Sequence, residues 1–165
     1  MNAIALVDLH GSRQPDTDHL ASLIAADGWT VNRHDGRAGR LPTGKEPVVV
    51  IGGPGTPNER GIWRVRLEAA MAQWAMERPL LAVGLGFPIL AAAMRWPVRP
   101  LDEPRRGWYP LALAAEGLAD PVMSAVCQGA HGYEDRPWAV LPPPAATVSR
   151  NTVLSYTSVG DIAAA

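Results

Sequence analysis

Apolar runs and glycine-rich turns alternate along the first hundred residues of the chain. Short apolar runs at 3–7, 47–51 and 80–83 predict strands. In the run at 47–51 every residue after Pro47 is β-branched, as in strands whose two faces are covered by helices. Apolar residues at helical spacing predict helices over 18–26, 62–76 and 88–94, and a further strand begins at 29–31. This alternation predicts a single α/β domain over 1–165, a three-layer αβα fold with a mainly parallel central sheet.

The last third of the chain has a different pattern. From Trp96 onward proline and glycine become frequent and the helical spacing fades. Short extended pieces remain at 111–114, 122–126 and 138–141. We expect these pieces to form an antiparallel extension of the central sheet.

Composition excludes several classes of partner. Hydrophobic residues make up 47% and charged residues 19% of 165 residues, and the formal net charge is −1. We therefore expect no nucleic-acid partner and no binding to an anionic membrane, since both require a basic surface. No window approaches the ~18 apolar residues of a membrane span, and the first residues lack the basic start of a secretory signal. Cys127 is the single cysteine, which favours a reducing compartment, the cytoplasm.

Two glycine-rich turns, each after an apolar run, are the candidate chemistry. Residues 52–55 read Gly-Gly-Pro-Gly, and residues 84–86 read Gly-Leu-Gly. We expect the two preceding runs, 48–51 and 80–83, to be adjacent, fully buried parallel strands, with the two turns meeting at one edge of the sheet. The second turn could be part of a dinucleotide fingerprint, but that motif needs a third glycine where Ile89 stands. We expect no cofactor.

Together the two turns resemble a specific family. Residues 49–57 look like the oxyanion loop of class I glutamine amidotransferases, and residues 80–91 look like that family's nucleophile elbow. The Thr56-Pro57 pair and Gly61 resemble the anthranilate synthase glutaminase subunits in particular. Residues 96–107 are most similar to the amidotransferase domain of phenazine-type aminodeoxyisochorismate synthases, and residues 149–155 fall where the family carries its histidine and glutamate. The resemblance implies the flavodoxin-like amidotransferase fold.

The departures from the family concern its catalytic triad. Glutamine hydrolysis requires a thiolate, an imidazole that deprotonates it and a carboxylate that orients the imidazole. The three matching positions hold Gly84, Ser149 and Asn151. Phe87 and Pro88 replace the histidine and glutamine that usually follow the elbow. The resemblance therefore implies an amidotransferase-like protein without glutaminase activity.

The resemblance implies that the backbone of the two glycine turns is retained although the catalytic side chains are not. Glycine at position 84 preserves a turn that often needs positive φ while removing the nucleophile. The backbone amides of the two turns could still accept an anion. We expect a ligand pocket lined by the following residues: His10, Gly52, Gly53, Pro54, Gly55, Gly84, Leu85 and Phe87. The alternative is that these glycines serve packing alone.

Other reactive side chains have simpler interpretations. Cys127 could be a displaced nucleophile, although a small buried cysteine is the commoner case. The four histidines, at positions 10, 19, 34 and 131, show no metal-ligand spacing, so we expect no metal. Six tryptophans in a short chain indicate core packing or an exposed partner surface, and an arginine-rich stretch at 95–106 could contribute to such a surface.

Three functions remain open at this point. The first is a degenerate amidotransferase-like protein in secondary metabolism that binds a partner, such as a chorismate-type synthase subunit, or a small molecule. The second is a repurposed enzyme that uses the old pocket for a different reaction on a pathway intermediate. The third is a structural or assembly protein, for which a homo-oligomer is one form.

Overall fold

The computed structural model describes residues 2–11, 15–110 and 129–141. It divides into two compact units, one containing the described residues up to 98 together with residue 141, and one containing the described residues from 99 to 140. The prediction of a single domain stays a prediction. No helix of the described residues is long and apolar enough to cross a membrane.

The first unit contains most of the secondary structure. Its elements in chain order are β1 (Ala3–Asp8), α1 (Pro15–Ala26), β2 (Thr30–Asp35), β3 (Val48–Ile51), α2 (Ile62–Glu77), β4 (Leu80–Val83) and α3 (Gly86–Ala93). The predicted elements are all present; β4 has the predicted bounds, and the ends of the others are shifted. The largest shift is at β2, which continues from the predicted 29–31 through polar residues to Asp35 because it pairs with β1 along its whole length.

The central sheet has four described strands, all parallel, in the order β2-β1-β3-β4. Val48 of β3 pairs with Ala5 of β1 on one side and with Leu80 of β4 on the other. The prediction that 48–51 and 80–83 are adjacent parallel strands is therefore confirmed. The chain has the mixed α/β, flavodoxin-like architecture that the alternating pattern predicts.

Helices cover the sheet from both sides and form the three layers. One face packs against α2 and α3, where Leu67, Met71 and Ile89 are fully buried. The other face packs against α1 through a smaller cluster that includes Leu6 and Ala21. Consecutive side chains of a strand point to opposite faces, so the uniformly apolar run of β3 supplies both cores.

The prediction that β4 is fully buried is wrong. Leu80 and Ala82 are buried against α2 and α3, whereas Leu81 is 36% exposed and Val83 is 43% exposed. Among the described strands β4 lies at the edge of the sheet, and α1 packs over the β1–β2 end. The outer face of β4 therefore has no described helix over it.

A two-stranded sheet is formed by β5 (Val98–Pro110) and β6 (His131–Val140), and the second unit contains all of it except Val98. Arg106 pairs with Asp135 and Trp108 contacts Tyr133, so the two strands run in opposite directions. Residues 138–141 were predicted to extend the central sheet, but 138–140 pair with β5 instead. β5 contains three prolines, and for that reason the sequence pattern does not predict a strand there. An edge strand tolerates proline, because one row of its N–H groups has no partner. The predicted pieces 111–114 and 122–126 lie outside the described residues.

Candidate functional site at the carboxyl edge of the sheet

Three turns leave the sheet side by side at its carboxyl edge. The Leu9 amide donates to the Ile51 carbonyl oxygen at 3.1 Å, and the Gly52 amide donates to the Val83 carbonyl oxygen at 2.9 Å. These bonds continue the strand pairing of β1, β3 and β4 into the turns. The prediction that the turns 52–55 and 84–86 meet at one edge is confirmed, and this edge is where open α/β sheets bind ligands.

Position 84 has no room for a side chain without movement of its neighbour. Gly84 has a φ of +60°, and a Cβ added to it would lie 3.0 Å from the Gly52 Cα. The Gly52 backbone is held in place by its hydrogen bond to Val83. Gly84 thus has a left-handed backbone, and the Gly52 backbone crowds the point from which a side chain at position 84 would extend.

The turn 52–55 packs against the segment that follows β1. Gly53 has a φ of +122°, and a Cβ on it would lie 2.2 Å from the Leu9 carbonyl oxygen. Only glycine permits this close approach. The amides of Gly53, Gly55 and Leu85 have no hydrogen-bond acceptor among the residues that the structure describes.

Arg37, which no sequence motif indicates, forms hydrogen bonds to both of these segments. Its Nε donates to the Leu9 carbonyl oxygen at 2.6 Å, and its terminal nitrogens donate to the Pro54 carbonyl oxygen and to Glu59. The guanidinium also lies over the Trp63 ring, 4.7 Å from its centroid. Its position in the turn after β2 carries no spacing signal, so only the folded chain identifies it.

A hydrogen-bonded histidine, His10, lies beside the first glycine turn. His10 Nδ1 lies 2.7 Å from Asp8 Oδ1, and the same carboxylate oxygen accepts the His10 backbone amide at 2.8 Å. The hydroxyl oxygen of the buried Thr17 is 3.3 Å from Nδ1. The other edge of the ring faces Gly52, because a Cβ added there would lie 3.0 Å from Cε1 and 3.2 Å from Nε2.

The remaining predicted site residues fall into two groups. The side chain of Leu85 is buried in the core, so only its backbone amide is available at the carboxyl edge. Phe87 is half-buried and packs against the same core. Ser149, Asn151 and Cys127 lie outside the described residues. The assignment of Ser149 and Asn151 to the triad positions therefore stays a prediction from the sequence.

Metal binding and the burial of the tryptophans were also predicted from the sequence. Within the described ranges no group of three or more histidine, cysteine or acidic side chains is arranged to hold a metal ion. All six tryptophans are described, and only Trp74 is buried. Trp108 is 70% exposed in the second unit, whereas Trp63 is half-buried beneath Arg37. Core packing alone does not account for the tryptophans.

Comparison with known proteins places the fold among glutamine amidotransferases. A glutamine amidotransferase from Methylobacillus flagellatus superposes with a TM-score of 0.69 at 20% identity, over 87% of this chain and 59% of that protein. One from Thermotoga maritima superposes with a TM-score of 0.70 at 15% identity, over 89% of this chain and 66% of that protein. The chain thus spans about three-fifths to two-thirds of the length of these structures. No protein-family model and no curated protein matches the sequence. The chain has the class I glutamine amidotransferase fold.

Proposed function

We propose that this chain is a catalytically degenerate amidotransferase-like protein of secondary metabolism, which does not hydrolyse glutamine and binds a small carboxylate at the carboxyl edge of its sheet. The observation that carries the proposal is the state of position 84. A glycine replaces the nucleophile, and the Gly52 backbone crowds the space from which a cysteine side chain would extend. A thiol cannot simply be restored there without moving a hydrogen-bonded strand end.

The carboxylate ligand is proposed from the groups that remain at the edge. The amides of Gly53, Gly55 and Leu85 have no acceptor among the described residues. Oriented backbone amides in glycine-rich turns bind anions without any charged side chain. A chorismate-derived carboxylate, the substrate class of the synthases that the sequence resembles, has the required charge.

Titration with benzoate, a simple ring carboxylate, tests this proposal. We expect the amide NMR signals of the turns 52–55 and 84–86 to shift in a saturable way. Gly53→Ala should weaken the response, because the added methyl group would displace the turn from Leu9. The matched control is Gly28→Ala, since Gly28 also has positive φ and has no atom within 4 Å of an added Cβ. Shifts that are absent, or that Gly53→Ala leaves unaltered, would rule out this site.

Partner binding is a second part of the proposal and rests on a different surface. The outer side of α2 exposes Ile62 by 72%, Val65 by 61% and Met76 by 68%. Trp63 lies half-buried beneath Arg37 at the start of the same helix. Aromatic, arginine and apolar side chains of this kind are enriched in protein interfaces. Native mass spectrometry of the chain purified from its own host should reveal a synthase-type subunit or a retained ligand, and an isolated, ligand-free monomer would contradict this part.

One observation favours a repurposed enzyme as the alternative. The Asp8–His10 pair is a carboxylate-oriented imidazole that lies beside Gly52, the residue whose backbone adjoins Gly84. Packing alone does not require such a pair at a half-buried turn.

A further inference from the structure

The Asp8–His10 pair has the geometry of a positioned base. An ionised carboxylate only accepts hydrogen bonds, so the neutral imidazole places its hydrogen on Nδ1, which faces Asp8 at 2.7 Å. The lone pair is then on Nε2. The second bond, from the His10 backbone amide to the same carboxylate oxygen, fixes the spacing between the two residues. This arrangement selects one tautomer in the same way as the aspartate of a catalytic triad.

Nε2 is available to a bound molecule. It makes no hydrogen bond within the described part of the chain, and the His10 side chain is 16% exposed. The ring lies against Gly52, on the other side of which the Gly84 turn begins. A molecule held by the amides of Gly53, Gly55 and Leu85 would therefore lie near the base.

We propose that His10, oriented by Asp8, is a general base that activates water for the hydrolysis of a small carboxylic ester at this edge of the sheet. The inference rests on the proposed function, because it requires that the edge binds a small molecule and carries no thiol nucleophile. Water is the nucleophile because no described thiol or hydroxyl is hydrogen-bonded to Nε2, and the Thr17 hydroxyl lies against Nδ1 instead. The loop amides are the donors that a developing oxyanion requires.

The reaction balances without a further reactant. Nε2 takes a proton from water while the water oxygen forms a bond to the ester carbonyl carbon, and the carbonyl π electrons move onto oxygen. Collapse of this tetrahedral oxyanion breaks the bond to the alkoxy oxygen, which receives the proton from Nε2. The products are a carboxylic acid and an alcohol. Asp8 stays ionised and stabilises the imidazolium that forms between the two steps.

The test is hydrolysis of p-nitrophenyl acetate by the whole chain, followed as nitrophenolate release. We expect His10→Gln to lower the rate above background by about a hundredfold, the lower end of what a positioned general base contributes. Asp8→Asn should also lower it, since the wrong tautomer is then allowed. The control is His19→Gln, because His19 is an exposed histidine on α1. The control should hydrolyse the ester at the wild-type rate.

A second readout separates this role from a structural one. Nitrogen-15 NMR of the wild type should show His10 with its hydrogen on Nδ1, and Asp8→Asn should alter that signal while the unfolding midpoint shows that the fold persists. Hydrolysis that is equal in wild type and His10→Gln, or a hydrogen on Nε2, overturns the inference. If benzoate still shifts the loop amides in that case, the proposed carboxylate site stands without the base. If benzoate shifts nothing, the proposed function fails and the inference fails with it.

Discussion

Replacing Gly84 by alanine measures how little room position 84 leaves for a side chain. The change adds one methyl group at a φ of +60°, and its carbon would lie 3.0 Å from the Gly52 Cα. Gly28→Ala is the matched control, because Gly28 has a φ of +83° and an added Cβ would meet nothing within 4 Å. The two variants share the backbone cost and differ in the contact.

The expected magnitudes follow from these two terms. A left-handed backbone costs a residue with a side chain about 1–2 kcal/mol, which is the whole expected loss for Gly28→Ala. An overpacked methyl group costs about 1–3 kcal/mol more. The Gly52 backbone cannot move away freely, because its amide bonds the Val83 carbonyl oxygen at 2.9 Å. We therefore expect Gly84→Ala to lower the free energy of unfolding by about 2–5 kcal/mol.

Urea unfolding followed by circular dichroism provides the comparison. Both variants and the wild type should unfold with similar slopes, so that the shift of the midpoint reports the free energy directly. A larger loss for Gly84→Ala supports the view that position 84 is closed against a side chain. Equal losses for the two variants would show that Gly52 gives way easily and that position 84 can accommodate a side chain.

Three further predictions concern glutamine hydrolysis, the hydrogen bonds of Arg37 and the packing of α2. The wild-type chain should release no ammonia from glutamine above background. Gly84→Cys alone should also release none, because a thiol is mostly protonated at neutral pH without a base. Glutamine turnover by the wild type would contradict the assignment of the triad positions. Arg37→Lys should lower the free energy of unfolding, measured with urea, by about 1–3 kcal/mol and should weaken benzoate binding, because an ammonium cannot reproduce the guanidinium's bonds to Leu9 and Pro54. An unchanged free energy of unfolding would show that these bonds are dispensable. Met71→Ala should lower the free energy of unfolding by about 2–5 kcal/mol, because Met71 is fully buried. Met76→Ala should change it by no more than about 0.5 kcal/mol, because Met76 is 68% exposed. Similar losses for the two variants would contradict the orientation of α2.

Short-range physics made much of the fold predictable. A continuous β-branched run such as 48–51 has few stable alternatives to a buried strand, and a glycine directly after it allows the backbone to turn sharply. The alternation of such runs with helical spacing was sufficient to predict parallel strands, their adjacency and the meeting of the two glycine turns. The resemblance to amidotransferases rested on the same local segments, and the shared fold agrees with it.

Long-range contacts decided the rest. The sequence of β4 is as apolar as that of β3, and only the strand order leaves Leu81 and Val83 partly exposed. Arg37 lies 28 positions from Leu9, and nothing in the intervening sequence indicates that its guanidinium holds the turns together. The sequence placed His10 after a strand, but its contact with Gly52 depends on the register of β1 against β3. Apolar spacing encodes which residues leave water, whereas the geometry of polar side chains is set by segments that meet only after the sheet has formed.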